Sequence, residues 1–134
     1  MKILVTGAEG FIGSHLVEKL ISQKIQVKAL IKYNFINSWG WLDHINQINK
    51  KYLKVISGNI NDYNLIKDIS KDCTHIINLA ALISIPYSYD APISNFNTNL
   101  NGVLNLLEII RSDSKKILIQ TSTSEVFGTA SKMR

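Results

Sequence analysis

The sequence predicts an α/β domain built on a doubly wound parallel sheet with strand order 3-2-1-4-5. Three observations carry that expectation. A Gly-rich turn, Thr6-Gly7-Ala8-Glu9-Gly10-Phe11-Ile12-Gly13, joins the apolar run Ile3-Leu4-Val5 to the helical pattern that opens with Ser14-His15-Leu16-Val17. Strand-like and helix-period segments alternate along the chain, which calls for right-handed crossovers between parallel strands. The run from Thr74 to Leu79 is nearly all apolar, as a strand covered on both faces must be.

Lys2 to Thr6 is the first strand, placed at the centre of the sheet by the crossover order. Phe11 to about Gln23 is a helix expected to bury Ile12, Leu16, Val17, Leu20 and Ile21. Gln26 to Lys32 is the second strand, and Trp41 to Ile48 a weaker helical stretch. Tyr52 to Ile56 is the third strand, ended by Gly58, and Asn61-Asp62 caps a helix through about Ser70. Thr74 to Leu79 is the fourth. Phe96, Leu100, Val103, Leu104 and Leu107 recur at helical spacing, so one helix runs from near Ser94 to Arg111, and Lys116 to Gln120 closes the sheet.

At 134 residues and 46% hydrophobic, the chain forms one domain with a substantial core but is short for a two-domain enzyme. The net charge is +5 and the isoelectric point about 9.4, yet the lysines are scattered. Lys50-Lys51 and Lys115-Lys116 are the only adjacent pairs, so a solvated surface is expected rather than contact with nucleic acid or membrane. Cys73 stands alone, which precludes an internal disulfide and suits a reducing compartment. No basic leader opens the chain and no apolar stretch reaches membrane-spanning length, so a cytoplasmic location is expected. No metal site is expected.

In such a sheet a ligand sits beyond the carboxyl ends of the strands, at the switch between strands one and four. Gly7 turns the chain sharply off the strand, Gly10 lets a pyrophosphate approach the backbone, and Gly13 permits close packing of the helix. The helix start there offers free N–H groups and a partial positive charge to phosphate. Asn78-Leu79-Ala80-Ala81 and Thr121-Ser122-Thr123-Ser124-Glu125 end strands four and five at the same crevice, where small residues admit a ribose or nicotinamide. Taken singly, each is ordinary turn or packing chemistry. Their coincidence at one end of one sheet points to a dinucleotide.

These residues resemble the extended short-chain dehydrogenase/reductase family, the NAD(P)-dependent epimerases and dehydratases of nucleotide sugars. The match covers Met1 to about Gly128: the Thr-Gly-x-x-Gly-x-x-Gly turn, Asn-Leu-Ala-Ala after strand four, Asn99 with Gly102, and Ser-x-Ser-Glu-Val-Phe-Gly at 122 to 128. Thr123-Ser124-Glu125 is most similar to the sugar-nucleotide 4,6-dehydratases. Tyr33-Asn34, Asn37 to Asp43 and Ile85-Pro86-Tyr87-Ser88-Tyr89 resemble, more narrowly, the dehydratase of legionaminic acid biosynthesis, which acts on a UDP-N-acetylhexosamine.

The resemblance implies a Rossmann-like NAD(P)-binding domain over residues 1–128, ending after strand five, with 129–134 a tail of uncertain origin. Cofactor contacts are implied for Gly7, Gly10, Phe11, Ile12, Gly13, Lys32, Asn59, Ile60, Leu79, Ala80, Ala81 and Asn99. Glu125 is implied as the base that takes the C5 proton, and Thr123 as the partner of the C4 hydroxyl. Ser124 stands where relatives often carry the Asp that helps the C6 hydroxyl leave. Read alone, Glu125 is also an ordinary solvated turn residue.

The family's Tyr-x-x-x-Lys pair is absent from its expected place after strand five. Lys132 has Gly128 four residues before it, and the literal pair Tyr63 to Lys67 falls between strands three and four, where it is a coincidence. Ala29 to Asn34 offers no carboxylate for the adenosine ribose. Lys32 suits a 2′-phosphate and is equally a plain surface lysine, so either NADP or NAD fits, with NADP favoured. Asn59 stands where relatives have Asp for the adenine amine, and its amide oxygen can accept that bond.

Two function classes follow. One is the N-terminal part of a nucleotide-sugar 4,6-dehydratase, or of a 4-epimerase, catalytic only when the remainder is supplied. The other is a non-catalytic or degenerate dinucleotide-binding module. The substrate of the first is a nucleotide sugar; the family's dimer is not expected, whereas irregular self-association through an open fifth strand and an apolar helix face is.

Overall fold

The computed structural model describes residues 1–45 and 47–128; Lys132 and the 129–134 tail lie outside them. Five parallel strands form one sheet: β1 (Lys2–Thr6), β2 (Gln26–Lys32), β3 (Leu53–Gly58), β4 (His75–Asn78) and β5 (Ile117–Gln120), in the order β3-β2-β1-β4-β5. The expected fold is found. β1 lies central, with Ile3 facing Val27 on one side and His75 on the other.

Two layers cover the sheet. Helix α1 (Phe11–Ser22) packs Val17 and Ile21 onto Ile3, Val5, Ala29 and Ile31. On the other face α2 (Tyr63–Ser70) and α5 (Gly102–Ser112) bring Ile66, Leu106 and Ile109 against Leu4, Leu30 and Ile76. The Asp62 carboxylate accepts the Leu65 N–H and starts α2 as a side-chain cap, the role its place before the helix predicts.

Four details differ from the sequence expectations. Ile12 is 66% exposed rather than buried, because it lies in the first turn of α1, beyond the carboxyl end of β1. The stretch near Trp41 forms two short 3-10 turns, Gly40–His44 and Gln47–Tyr52. A further helix, α3 (Ile85–Asp90), starts at Ser84, whose hydroxyl accepts the Tyr87 N–H. The long helix is interrupted: α4 (Pro92–Phe96) leads into a π turn at Asn97–Asn101 before α5 begins. That turn rotates the apolar stripe, so Phe96, Leu100, Leu104 and Leu107 stand exposed while Leu106 and Ile109 face the sheet. Among the described residues β5 pairs with β4 alone, and Ile117 and Ile119 are half exposed.

At the amino ends of the strands Asp72 ties three segments together, meeting Lys2 at 2.7 Å and Lys28 at 2.5 Å. Lys2 and then Lys28 hold the Asp72 carboxyl well below the usual carboxylate range. A carboxyl depressed on folding stabilises above its unfolded value and loses that contribution as pH falls through the folded one. Asp72→Asn should therefore destabilise the fold at pH 7 by about 0.5–1 kcal/mol, given the solvent screening at this half-exposed carboxylate, and lower its melting temperature accordingly. The gap to the parent should narrow as pH drops below about 4. Thermal melts at both pH values check it.

Candidate functional site

At the carboxyl ends of the strands, a polar chain buried at Thr6 and Asn78 joins β1, β4 and β5. The Thr6 hydroxyl donates to Asn78 Oδ1, and Asn78 Nδ2 donates to Gln120 Oε1 at 2.8 Å. Ala80 N–H donates back to Thr6 Oγ1 at 3.2 Å, and Thr121 N–H to the Asn78 carbonyl at 3.3 Å. Thr6 and Asn78 are almost wholly buried, so these bonds fix where the chain leaves each strand. The Gly turn, Leu79-Ala80-Ala81 and Thr121 to Glu125 consequently emerge together.

Gly7 has φ +63°, and a Cβ there would fall 2.7 Å from the Leu79 carbonyl. It lets the turn lie against the segment after β4. A Cβ on Gly13 would come within 2.2 Å of the Gly7 carbonyl oxygen, so α1 packs on the turn itself more closely than any other residue permits. Gly10 differs, since a Cβ there would meet only the Gly7 oxygen, at 3.4 Å. The space in front of it is open. Gly10 also caps α1 without a side-chain acceptor, leaving first-turn N–H groups at Phe11 and Ile12 for an outside anion. An open cradle lined by backbone donors fits a pyrophosphate, and a phosphate-bearing dinucleotide is the group these residues could hold. Phe11 is exposed beside it, edge-on to Trp41 at 5.7 Å.

The remaining candidates are placed as follows. Lys32 ends β2 with its side chain exposed. Beyond it the loop is shaped by Asn34 and Ser38, and by Asp43, whose carboxyl is held below its ordinary value by the Ser38 hydroxyl and the Trp39 N–H. Asn59 is exposed after β3, its Oδ1 accepting the Asn61 N–H at 3.0 Å; the oxygen's second lone pair remains for a ligand amine. Ile60 is core, with Gly102 pressed against it, and offers a ligand only its backbone. Asn99 spends its amide inside the protein: Oδ1 accepts the Leu82 N–H, and Nδ2 donates to the Leu82 carbonyl and to Asn95. It clamps the loop after β4.

Thr123, Ser124 and Glu125 are all exposed at the lip of the crevice, and Thr123 Oγ1 accepts the Glu125 N–H to open a 3-10 turn at Ser124–Phe127. Tyr63 and Lys67 lie on α2 between β3 and β4, the ammonium 5.6 Å from the ring centroid. Sequence reasoning passed over Glu9. Its Oε1 accepts the Lys32 N–H at 2.9 Å, which sets a carboxylate at the end of β2. The available signal was an acid inside the Gly turn, but its partner is a backbone group 23 residues away.

Comparison with known proteins agrees with this geometry. A family model described as GDP-mannose 4,6 dehydratase matches residues 4–134. A putative UDP-glucose 4-epimerase of Methanocaldococcus jannaschii is 36% identical over 94% of this chain and 39% of its own length. Among solved structures, UDP-glucose 4-epimerase of Bifidobacterium longum, in complex with NAD+ and UDP, superposes with a TM-score of 0.82 at 26% identity, over 99% of this chain and 40% of that one. The dTDP-glucose 4,6-dehydratase of Bacillus anthracis, in complex with NAD, gives 0.80 at 28%, over 100% and 41%. The chain thus spans about two fifths of the length of the proteins it matches. Among the described residues no helix is long and apolar enough to cross a membrane.

Proposed function

The chain belongs to the GDP-mannose 4,6 dehydratase family, and from that premise we propose that it is the NAD(P)-binding part of a nucleotide-sugar 4,6-dehydratase of the UDP-N-acetylhexosamine type. The observation that carries this reading is the convergence of an open glycine cradle, the small residues Ala80 and Ala81, and a carboxylate at Glu125 on one end of one sheet. When bound, the nicotinamide would take a hydride from the sugar and return it. The chain's own groups do the rest. The free N–H groups of α1 hold the pyrophosphate, Thr123 steadies the C4 oxygen, and Glu125 takes the C5 proton. Ser124, exposed between them, is the hydroxyl this reading assigns to the C6 side of the sugar.

A second reading, the corresponding part of a 4-epimerase, draws on the likeness to UDP-glucose 4-epimerases. Glu125 favours the first, because epimerisation at C4 leaves the C5 proton in place. The sequence holds a single Tyr-x-x-x-Lys, Tyr63 to Lys67, and it lies on α2, in the connection between β3 and β4 rather than after β5. The polypeptide alone should therefore bind reduced cofactor weakly and turn nothing over. Chains that meet would do so through the exposed face of α4 and α5 and the β5 edge.

Fluorescence titration of NADH and NADPH, with an assay for a 4-keto-6-deoxy sugar, tests this. Binding without product is the expected result. No binding of either cofactor would remove the dinucleotide reading, and a keto product would remove the claim that this polypeptide alone turns nothing over.

A further inference from the structure

We propose that Glu9, rather than Lys32, sets the cofactor preference of this site, and that it selects the dinucleotide with a free adenosine 2′-hydroxyl, NAD(H), over the 2′-phosphorylated form. The inference rests on the dinucleotide-binding reading above. In this fold the adenosine ribose lies at the end of the second strand, where a carboxylate accepts the 2′-hydroxyl and a cation accepts a 2′-phosphate. β2 ends at Lys32 and continues into Tyr33-Asn34 without an acid. The glycine turn brings one there.

Glu9 is fixed in that place from several sides. Ala8 N–H donates to the Leu30 carbonyl at 3.3 Å and Trp41 N–H to the Glu9 carbonyl at 3.2 Å, stapling the turn to β2 and to the loop beyond it. Gly40, at φ +62°, has its hydrogen where a Cβ would fall 2.7 Å from the Glu9 carbonyl oxygen. Oε1 is occupied by the Lys32 N–H at 2.9 Å. Oε2 is buried and, among the described residues, has no hydrogen-bond partner.

A buried carboxylate oxygen without a donor is costly, and a ribose hydroxyl brings a donor to this end of β2. A 2′-phosphate brings acceptors and a like charge instead. The two residues at this point pull in opposite directions, and burial decides between them. The Lys32 ammonium is carried on an exposed side chain, where water and salt screen its attraction. Glu9 Oε2 has no such screening, so its repulsion of a phosphate is the stronger effect.

The test is parallel titration of the whole chain with NADH and NADPH, for the parent, Glu9→Gln and Lys32→Ala. The parent should bind NADH about 10-fold or more tighter than NADPH, the size expected of one charge-assisted hydrogen bond. Glu9→Gln keeps an acceptor for the Lys32 N–H and removes the charge, so it should shrink that ratio at least about fivefold, chiefly by improving NADPH. Lys32→Ala should move the ratio less than about threefold. A purely structural Glu9 would change both affinities in parallel, and that result overturns the proposal while leaving dinucleotide binding intact. Preference of the parent for NADPH overturns it whatever the variants do. A parent that binds neither cofactor overturns the dinucleotide reading and this one with it.

Discussion

Gly10→Val should lower the affinity for reduced dinucleotide about 100-fold or more, a loss of about 2.8 kcal/mol, with little change in melting temperature. The two halves of that expectation have separate grounds. Gly10 sits at φ −74°, ψ 170°, extended backbone that any residue adopts, and a Cβ would touch only the Gly7 oxygen at 3.4 Å. Folding places no demand for glycine there. The valine methyls would instead fill the open space before the first turn of α1, where a phosphate must come within hydrogen-bond distance of backbone N–H groups. Fluorescence titration and thermal melting on the same sample check both halves. Parent-like binding by Gly10→Val would mean that the cradle is not where the pyrophosphate lies.

How far the sequence foretells this molecule depends on the range of the contacts. Strands were legible to within a residue or two, since Leu4, Val5, Ala29 and Ile76 are buried on the faces of a central sheet and leave unbroken apolar runs. The glycine turn was legible because its constraints are local. The break in the long helix was not: Asn99 is pulled into the π turn by two bonds to Leu82, 17 residues away, and periodicity carries no trace of that partner. Helix α3 did carry a local sign, Ser84 followed by Pro86, the cap-and-proline pattern of a helix start. Glu9 stayed hidden for the reason the helix break did, because its role depends on which strand end the fold lays beside it.

Gly13→Ala should destabilise the fold by about 3 kcal/mol or more, although helix propensity alone would favour alanine by about 1 kcal/mol at a position inside α1. The sign is decided by what surrounds the added methyl. It would lie 2.2 Å from the Gly7 carbonyl oxygen and 2.8 Å from the Ala8 Cα, both main-chain atoms with no rotamer to change. Gly7 cannot retreat, because its own α-carbon already lies against the Leu79-Ala80 backbone and holds a positive φ. Relief must come from moving the start of α1 off the turn, which uncovers Val17 and Ile21 from the sheet, or from parting β1 and β4 where Thr6 and Asn78 join them. Each route breaks buried contacts, so the cost exceeds the usual overpacking range of about 1–3 kcal/mol. Urea unfolding of Gly13→Ala beside Gly10→Val separates the two glycines: the first should lose stability and binding together, the second binding alone. A Gly13→Ala variant as stable as the parent would show that α1 does not approach the turn this closely, and the N–H groups of its first turn would then stand too far back to hold a phosphate.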